Sequence, residues 1–384
     1  MKGSVVTRNN HQAIVLELGK DPVTGKRKQR WIAVDGNKTE ARAQLKQITY
    51  EYERGLWALP TKDTLQSHLE QWLTGYVAAN LSPRTEDLYR YIAEKHIMPR
   101  LGNLRLNQLT PQAIQALYAE KKKAGLSNRT IQIIHNTLHR SLENAVKTGL
   151  LARNPVDAVE RPKIKRGEIV TLTETDIHLI LEFAKQTSFY ELFYTLIFTG
   201  MRRGEALGLK WGDIDLLLLK VSINRSMTYL RKAPKGEKMK LRPPKTAKGR
   251  RYISITPSNA LVLGEYYEKR NQIRQSLGIP LLNDNDFVFA NYKGIPYMPD
   301  SITGAWIKLV RKCGLPGRRL HDCRHTYATL LLKKNVHPSI VAAQLGHASV
   351  STTLDIYSHS IPALQELAAS KFDDIIIGEK QSVR

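Results

Sequence analysis

Between residues 82 and 127 the chain three times sets a hydroxyl side chain ahead of a segment suited to a helix. Ser82-Pro83 and Thr110-Pro111 each join a cap to a proline at the first helical position. The hydroxyl oxygen takes an orphan backbone N–H, and the proline gives up a donor that would have had no partner. Ser127 caps a third segment, in which Ile131, Ile134, Leu138, Leu142 and Ala145 recur three and four apart. Residues 64–76 make a fourth. These starts predict four short helices around one apolar core over residues 61–160, closed at Asn154-Pro155. The longest apolar runs, such as the leucines at 216–219 and 330–332, are far too short to span a bilayer.

The front of the chain reads differently. Residues 13–18 and 31–34 are apolar-rich strands around the turn cluster Asp21-Pro22-Val23-Thr24-Gly25, and residues 4–7 could add a third strand. Thr39 is then expected to cap a helix carrying Ala41, Leu45, Ile48 and Tyr52. Lys20, Lys26, Arg27, Lys28 and Arg30 crowd the hairpin. A charged edge that deters strand pairing would explain them. So would a β-ribbon that enters a DNA groove. The whole chain of 384 residues, long enough for two or three domains, carries 59 Lys and Arg against 35 Asp and Glu, a formal net charge of +24. Such a surplus argues for a polyanionic partner, because phosphates with condensed counterions reward it. Charge sets that class and not the function, since ribosomal or membrane-surface binding would share it. The 2 cysteines, Cys313 and Cys323, form no CxxC, so a zinc knuckle or thioredoxin-like site is unsupported and free thiols are expected. Cys323 is expected to pack behind its neighbour Arg324. Met1-Lys2-Gly3 runs into polar sequence, and no secretory signal is expected.

Residues 161–167, Arg-Pro-Lys-Ile-Lys-Arg-Gly, lack apolar periodicity and read as a linker that can cross a DNA backbone. Longer helices follow. Thr173 with Asp176 resembles a capping box. An apolar helix over residues 190–199 stops at Gly200, before Met201-Arg202-Arg203-Gly204-Glu205. A strand begins near residue 221. Residues 225–251 then hold Lys or Arg at eleven positions against Glu237 alone, with Pro244-Lys245-Thr246 inside, before a strand at 251–255. Helices resume after Ser258, with a short extended piece at 285–291.

The run from Leu320 to His359 carries the chemistry. His321 and Arg324 lie three apart, on one face of a helix. His347 follows in Leu-Gly-His, and Tyr357 in Asp-Ile-Tyr-Ser-His. Arginine offers phosphate oxygens a planar fork of donors, histidine can donate or carry a proton, and a tyrosine hydroxyl can attack phosphorus. Each piece alone is weak. Their order resembles the tyrosine recombinase (phage integrase) family, with its HxxR box, its LGH box and its downstream nucleophilic tyrosine.

The resemblance implies much more. The family's first box, Thr-Gly-x-Arg-x-x-Glu, makes Arg202 a phosphate-binding arginine and Glu205 its supporting acid. Arg203 is left for DNA-backbone or structural duty. The family carries its catalytic lysine on a β-hairpin in a Lys-Thr setting, which Lys245 matches; Lys248 is the nearest rival. Arg202, Arg324 and His347 would hold the phosphate, and Tyr357 would attack it to give a 3′-phosphotyrosine. His321 would help take the tyrosine proton, and Lys245 would protonate the departing 5′-oxygen. Neither cofactor nor metal is needed. The implied fold is a multidomain α+β chain: a small N-terminal β-sheet plus helix (1–60, arm-type DNA-binding), an all-α core-binding bundle (61–160), a linker (161–169), a mainly-α catalytic domain with a small β-sheet (170–372) and a tail (373–384). The front resembles that of lambda-type and conjugative-transposon integrases. DNA contacts are expected at Lys26, Arg27, Lys28, Arg30, Arg84, Lys121, Lys122, Lys123, Arg129, Arg203 and Lys248.

The implied function is site-specific integration and excision of a mobile element or prophage. Partners would be double-stranded core and arm attachment sites, a homotetramer on DNA from a monomer without it, and an excisionase or host DNA-bending protein, with no membrane. The place would be the bacterial cytoplasm, at the nucleoid. A type IB topoisomerase, a Xer-like resolvase and a non-catalytic DNA-binding regulator are the alternatives. The N-terminal hairpin argues against the first two, and the full set of six catalytic residues against the third.

Overall fold

The computed structural model describes residues 2–8, 11–20, 25, 27–53, 62–164, 170–230, 238–243, 249–347, 349–357 and 372. Lys26, Lys245, Lys248 and the tail at 373–384 lie outside the described residues, as does the helix expected near 362–372 apart from Phe372. Lys28 and Tyr357 are placed by their backbone alone. The chain divides into two compact units, Met1–Arg166 and Gly167–Arg384.

The first unit opens with an antiparallel sheet of β1 (Lys2–Arg8), β2 (His11–Lys20) and β3 (Arg27–Val34), in that order. Alternation along β2 sends Ile14 and Leu16 to one face. There they share a core with Val34 and with Ala41 of helix α1 (Lys38–Glu53), packed by Leu45 and Ile48. On the other face Val15 pairs with Trp31, which is 51% exposed. The cap of α1 differs from expectation. It is Asn37, whose Oδ1 accepts from the N–H of Thr39 and of Glu40, each at 3.0 Å. The Glu40 carboxylate returns to the Asn37 N–H at 3.2 Å. Asparagine caps as well as threonine, and only position 37 sets a Glu three residues on to close the box.

Four helices follow: α2 (Leu65–Trp72), α3 (Pro83–Ile92), α4 (Pro111–Lys123) and α5 (Asn128–Lys147). The hydroxyls of Thr64, Ser82, Thr110 and Ser127 cap them by accepting from Ser67, Thr85, Ala113 and Thr130. Leu69, Ile97, Ile114, Leu117, Ile134, Leu138 and Leu142 share one core, which also takes in Val156 and Val159. Asn154-Pro155 therefore does not close the bundle. Asn154 caps one further 3-10 turn, Pro155–Ala158, because that turn still has Val156 to bury.

In the second unit, Thr173 and Asp176 form both halves of the capping box of α6 (Glu174–Ala184). Helix α7 (Tyr190–Thr199) stops at Gly200, whose φ of +63° is the left-handed conformation glycine tolerates. After α8 (Arg203–Leu207) come β4 (Ile214–Asp215), β5 (Lys220–Ile223), β6 (Ser226–Tyr229), β7 (Met239–Arg242) and β8 (Arg251–Ser254). They make two sheets: β4-β5-β8, and the hairpin β6-β7. Lys245 lies in sequence between β7 and β8, outside the described residues. Helices α9 (Pro257–Ser276), α10 (Pro299–Lys312), α11 (Asp322–Lys333), α12 (Pro338–Leu345) and α13 (Val350–Tyr357) complete the unit. The expected extended piece at 285–291 reduces to isolated bridges, Lys210 with Phe287 and Ala290 with Pro296. The core holds Phe193, Val221, Ile253, Phe289 and Trp306. Cys313 and Cys323 are buried free thiols, and Cys323 packs in that core next to Arg324. No helix among the described residues is long and apolar enough to cross a membrane.

Candidate active site

The site begins where α7 ends. A side chain at Gly200 would fall 2.7 Å from Leu345 and 2.8 Å from Tyr327, so glycine serves both the turn and the close approach of α11 and α12. Arg202 is the N-cap residue of α8, with Glu205 in the first turn. A carboxylate three residues after a cap can reach back to it. Glu205 does so, accepting the Arg202 backbone N–H at 2.9 Å and Arg202 Nη1 at 2.7 Å.

His321 is the N-cap residue of α11, and Arg324 lies one turn in, 3% exposed. A guanidinium buried this deeply needs acceptors. Arg324 finds them at two helix ends: Nη1 donates to the Gly200 carbonyl at 2.9 Å and Nη2 to the Leu345 carbonyl at 2.6 Å. Helix C-termini present orphan carbonyls and roughly half a negative charge, which suits cations. The end of α12 uses this three times over. The carbonyls of Gln344, Leu345 and Gly346 accept from Arg251 Nε, Arg324 Nη2 and Arg202 Nη2 respectively, at 2.8, 2.6 and 3.3 Å. Gly346, at φ +69°, then turns the chain into His347.

Among the described residues, three guanidiniums therefore meet here with one carboxylate, Glu205, which pairs with Arg202 and Arg251. Glu205 is 3% exposed. Burial pushes its pKa up, but Arg251 and Arg202 outweigh that and hold it below the usual carboxylate range. Burial, with Arg202 nearby, pulls Arg324 down to about 9, which leaves it charged at neutral pH. Burial, then His325, Arg324 and Arg202, pull His321 down to about 4. Burial, then Arg324 and Arg202, bring His347 to about 4 as well. Both imidazoles are thus neutral at pH 7. His347 Nδ1 bonds the hydroxyl of the fully buried Thr353 at 2.8 Å, which fixes the ring through that nitrogen. The His321 and His325 rings meet edge to face at 4.8 Å. The arrangement is a positively charged, preorganised anion site flanked by neutral bases.

Residues 170–363 match the family model described as the Phage integrase family, and residues 64–123 match that of the phage integrase N-terminal SAM-like domain. The chain belongs to the phage integrase family. It is a tyrosine-type site-specific recombinase, an enzyme that cleaves and rejoins DNA strands. It is 28% identical over 374 residues to the ICEBs1 integrase of Bacillus subtilis (strain 168), covering 96% of this chain and 98% of that protein. A XerC-like tyrosine recombinase of Caldanaerobacter subterraneus subsp. tengcongensis is 28% identical over 354 residues, 88% of this chain and 90% of that one. In fold it resembles the Tn1549 transposon integrase in complex with transposon right end DNA (TM-score 0.66, 21% identity, 78% of this chain and 99% of that one). It also resembles a lambda integrase tetramer bound to a Holliday junction (TM-score 0.57, 18% identity, 92% and 94%).

Of the residues expected in this integrase's site, Arg202, Glu205, Arg324, His321 and His347 come together around the α12 terminus. Tyr357 ends α13, the helix that carries Thr353. Arg251 is the member that sequence reasoning missed. The sequence counts it among eleven basic positions of the span 225–251 and at the start of a strand, and its side chain is only 7% exposed. Nothing local in the sequence singles it out, because its partners Glu205 and Gln344 lie far along the chain. Arg203 gives Nη1 to the Pro299 carbonyl at 2.8 Å and to the Thr303 hydroxyl, tying α8 to α10. Arg84, Lys122, Lys123 and Arg129 are exposed on the helical bundle, while Lys121 is half-buried and pairs with Glu120 at 2.9 Å. Arg27 is exposed and Arg30 half-buried on β3.

Proposed function

We propose that this integrase inserts and removes a mobile element or prophage at DNA attachment sites, and that six residues carry the chemistry. Arg202 and Arg324 hold the non-bridging oxygens of the scissile phosphate, with His347 Nε2 as third donor. Tyr357 attacks phosphorus. His321, neutral at pH 7, takes the phenolic proton, and Lys245 protonates the leaving 5′-oxygen. The 3′-phosphotyrosine conserves the phosphodiester bond energy, so a 5′-hydroxyl from another strand reverses the step without ATP. The carrying observation is the three-guanidinium, one-carboxylate cluster: its surplus charge is what a phosphodiester and its more negative transition state would neutralise.

Lys245 is assigned from the family pattern, as is the nucleophile. The three-stranded sheet that carries Arg27 and Arg30 is assigned to arm-type sites, and the bundle's exposed Arg84, Lys122, Lys123 and Arg129 to core-type sites. Assembly is four protomers on two duplexes, helped by an excisionase or a host DNA-bending protein, in the cytoplasm at the nucleoid. The test uses a nicked suicide substrate built from the element's ends. Wild-type protein is expected to leave a covalent adduct that survives denaturation. Binding without any adduct would reduce the protein to a regulator. Relaxation of plasmids lacking the element's ends would favour a topoisomerase.

A further inference from the structure

We propose that Arg251 is a positioning residue for strand cleavage: it fixes Glu205, and through Glu205 the guanidinium of Arg202, to the turn that carries His347. The idea rests on Arg202 as a phosphate clamp. Arg251 opens β8 and turns its fork on both oxygens of Glu205, Nη2 to Oε2 at 3.0 Å and Nη1 to Oε1 at 3.3 Å. Its remaining nitrogen, Nε, donates to the Gln344 carbonyl at 2.8 Å. The Gln344 side chain returns the bond, donating to the Ser254 carbonyl of the same strand at 2.8 Å. The guanidinium also lies flat against Gly346, where a Cβ would come within 2.8 Å of Nη1. One side chain thus ties β8, the first turn of α8 and the end of α12 together.

The consequence concerns Arg202, whose side chain is 42% exposed. A buried carboxylate draws whatever donors it can reach, and an arginine fork prefers to meet it with two bonds. Were Arg202 the sole cation on Glu205, it would turn both terminal nitrogens inward. Arg251 supplies the acid's second set of bonds. Arg202 then gives Glu205 only Nη1 from its side chain and gives Nη2 to the Gly346 carbonyl, and its remaining N–H donors, on a side chain 42% exposed, are left for a phosphate.

The experiment compares Arg251→Met, Arg251→Lys, Glu205→Gln, the Arg251→Met/Glu205→Gln double variant and Arg202→Ala in the full chain. Affinity and single-turnover cleavage of the suicide substrate are measured separately. Arg251→Met is expected to slow cleavage about 100-fold at saturating protein, with affinity held within about threefold by the many other cations. Arg251→Lys keeps the charge without the fork and recovers part of the rate. The double variant is expected to be no slower than the slower single one, because both act through one path. Cleavage by Arg251→Met at the wild-type rate overturns the proposal. So does a loss that adds to that of Glu205→Gln and falls on affinity and melting temperature alike, which marks a structural role. Should Arg251→Met fail to fold, Arg251→Lys decides: slowed cleavage with unchanged affinity supports the role, and a wild-type rate removes it. Arg202→Ala separates the layers. If it cleaves normally, the clamp reading itself fails. If it is dead while Arg251→Met is active, only the role of Arg251 fails.

Discussion

In the helical bundle, Leu69, Ile114, Ile134 and Leu138 are fully buried in one apolar core. Two of its buried polar side chains, His68 and Asn154, are uncharged and held by single carbonyls, those of Ser141 at 2.8 Å and His139 at 3.0 Å. Under the catalytic site the same depth is given to Arg324, Arg251 and Glu205. A fully buried leucine contributes about 1.5–3 kcal/mol, whereas a buried ion costs several kcal/mol unless its hydrogen bonds are complete. The site meets that condition with helix-end carbonyls and one acid. Carbonyls satisfy donors without cancelling charge, so the cluster stays positive. The bundle is built to be stable, and the site is built to be short of an anion.

The largest effect that separates these regions is expected from Arg324→Ala. Cleavage should fall about 10³-fold, the loss typical of a donor aimed at developing charge, while DNA affinity changes little. Arg324→Lys should not rescue it, since a point charge cannot span the Gly200 and Leu345 carbonyls. Kinetics on the suicide substrate decide this. Leu138→Ala in the bundle should do the reverse. It should cost about 2–5 kcal/mol in denaturant unfolding and leave the cleavage rate of the folded fraction unchanged. A rate defect there would break the distinction.

The bundle was also the more legible region. Its starts were visible because a cap is local: Ser82, Thr110 and Ser127 each act on residues three positions away. Asn37 was missed because Thr39 offered the same chemistry two residues on. The fold class and the family's boxes were legible from residue order, but the site's floor was not. Arg251 meets Glu205 and Gln344 across long stretches of chain, and no local pattern records that. Hydrophobicity misleads in the same way at residues 216–219. There Leu217 is 96% exposed in the turn between β4 and β5, and Asp215 Oδ1 accepts from the N–H groups of Leu217 and Leu218.

Two smaller effects sharpen the contrast. Ser127→Ala removes the cap of α5 and should cost about 1 kcal/mol, read as a lower urea midpoint with normal cleavage. The last effect depends on pH. His321 and His347 lie near 4 in the folded protein against 6.5 when unperturbed. Their contribution to stability is therefore complete above pH 6.5. Below that value the unfolded chain binds protons the folded one refuses, and stability falls until the folded pKa is reached. The melting temperature should climb from pH 4 to pH 6.5, less steeply in a His321→Gln/His347→Gln variant. An unchanged slope would place the histidines in water rather than beside the arginines.

If the cluster serves to neutralise phosphate charge, a substrate without that charge should not need Arg324. The direct measurement replaces one non-bridging oxygen of the scissile phosphate with a methyl group, which removes the charge and keeps the shape. With Tyr357 and the rest of the site intact, Arg324→Ala should cleave this methylphosphonate substrate within about tenfold of the wild-type rate, against the loss of about 10³-fold expected on ordinary DNA. An Arg324→Ala protein equally impaired on both substrates would show that the arginine serves structure rather than charge.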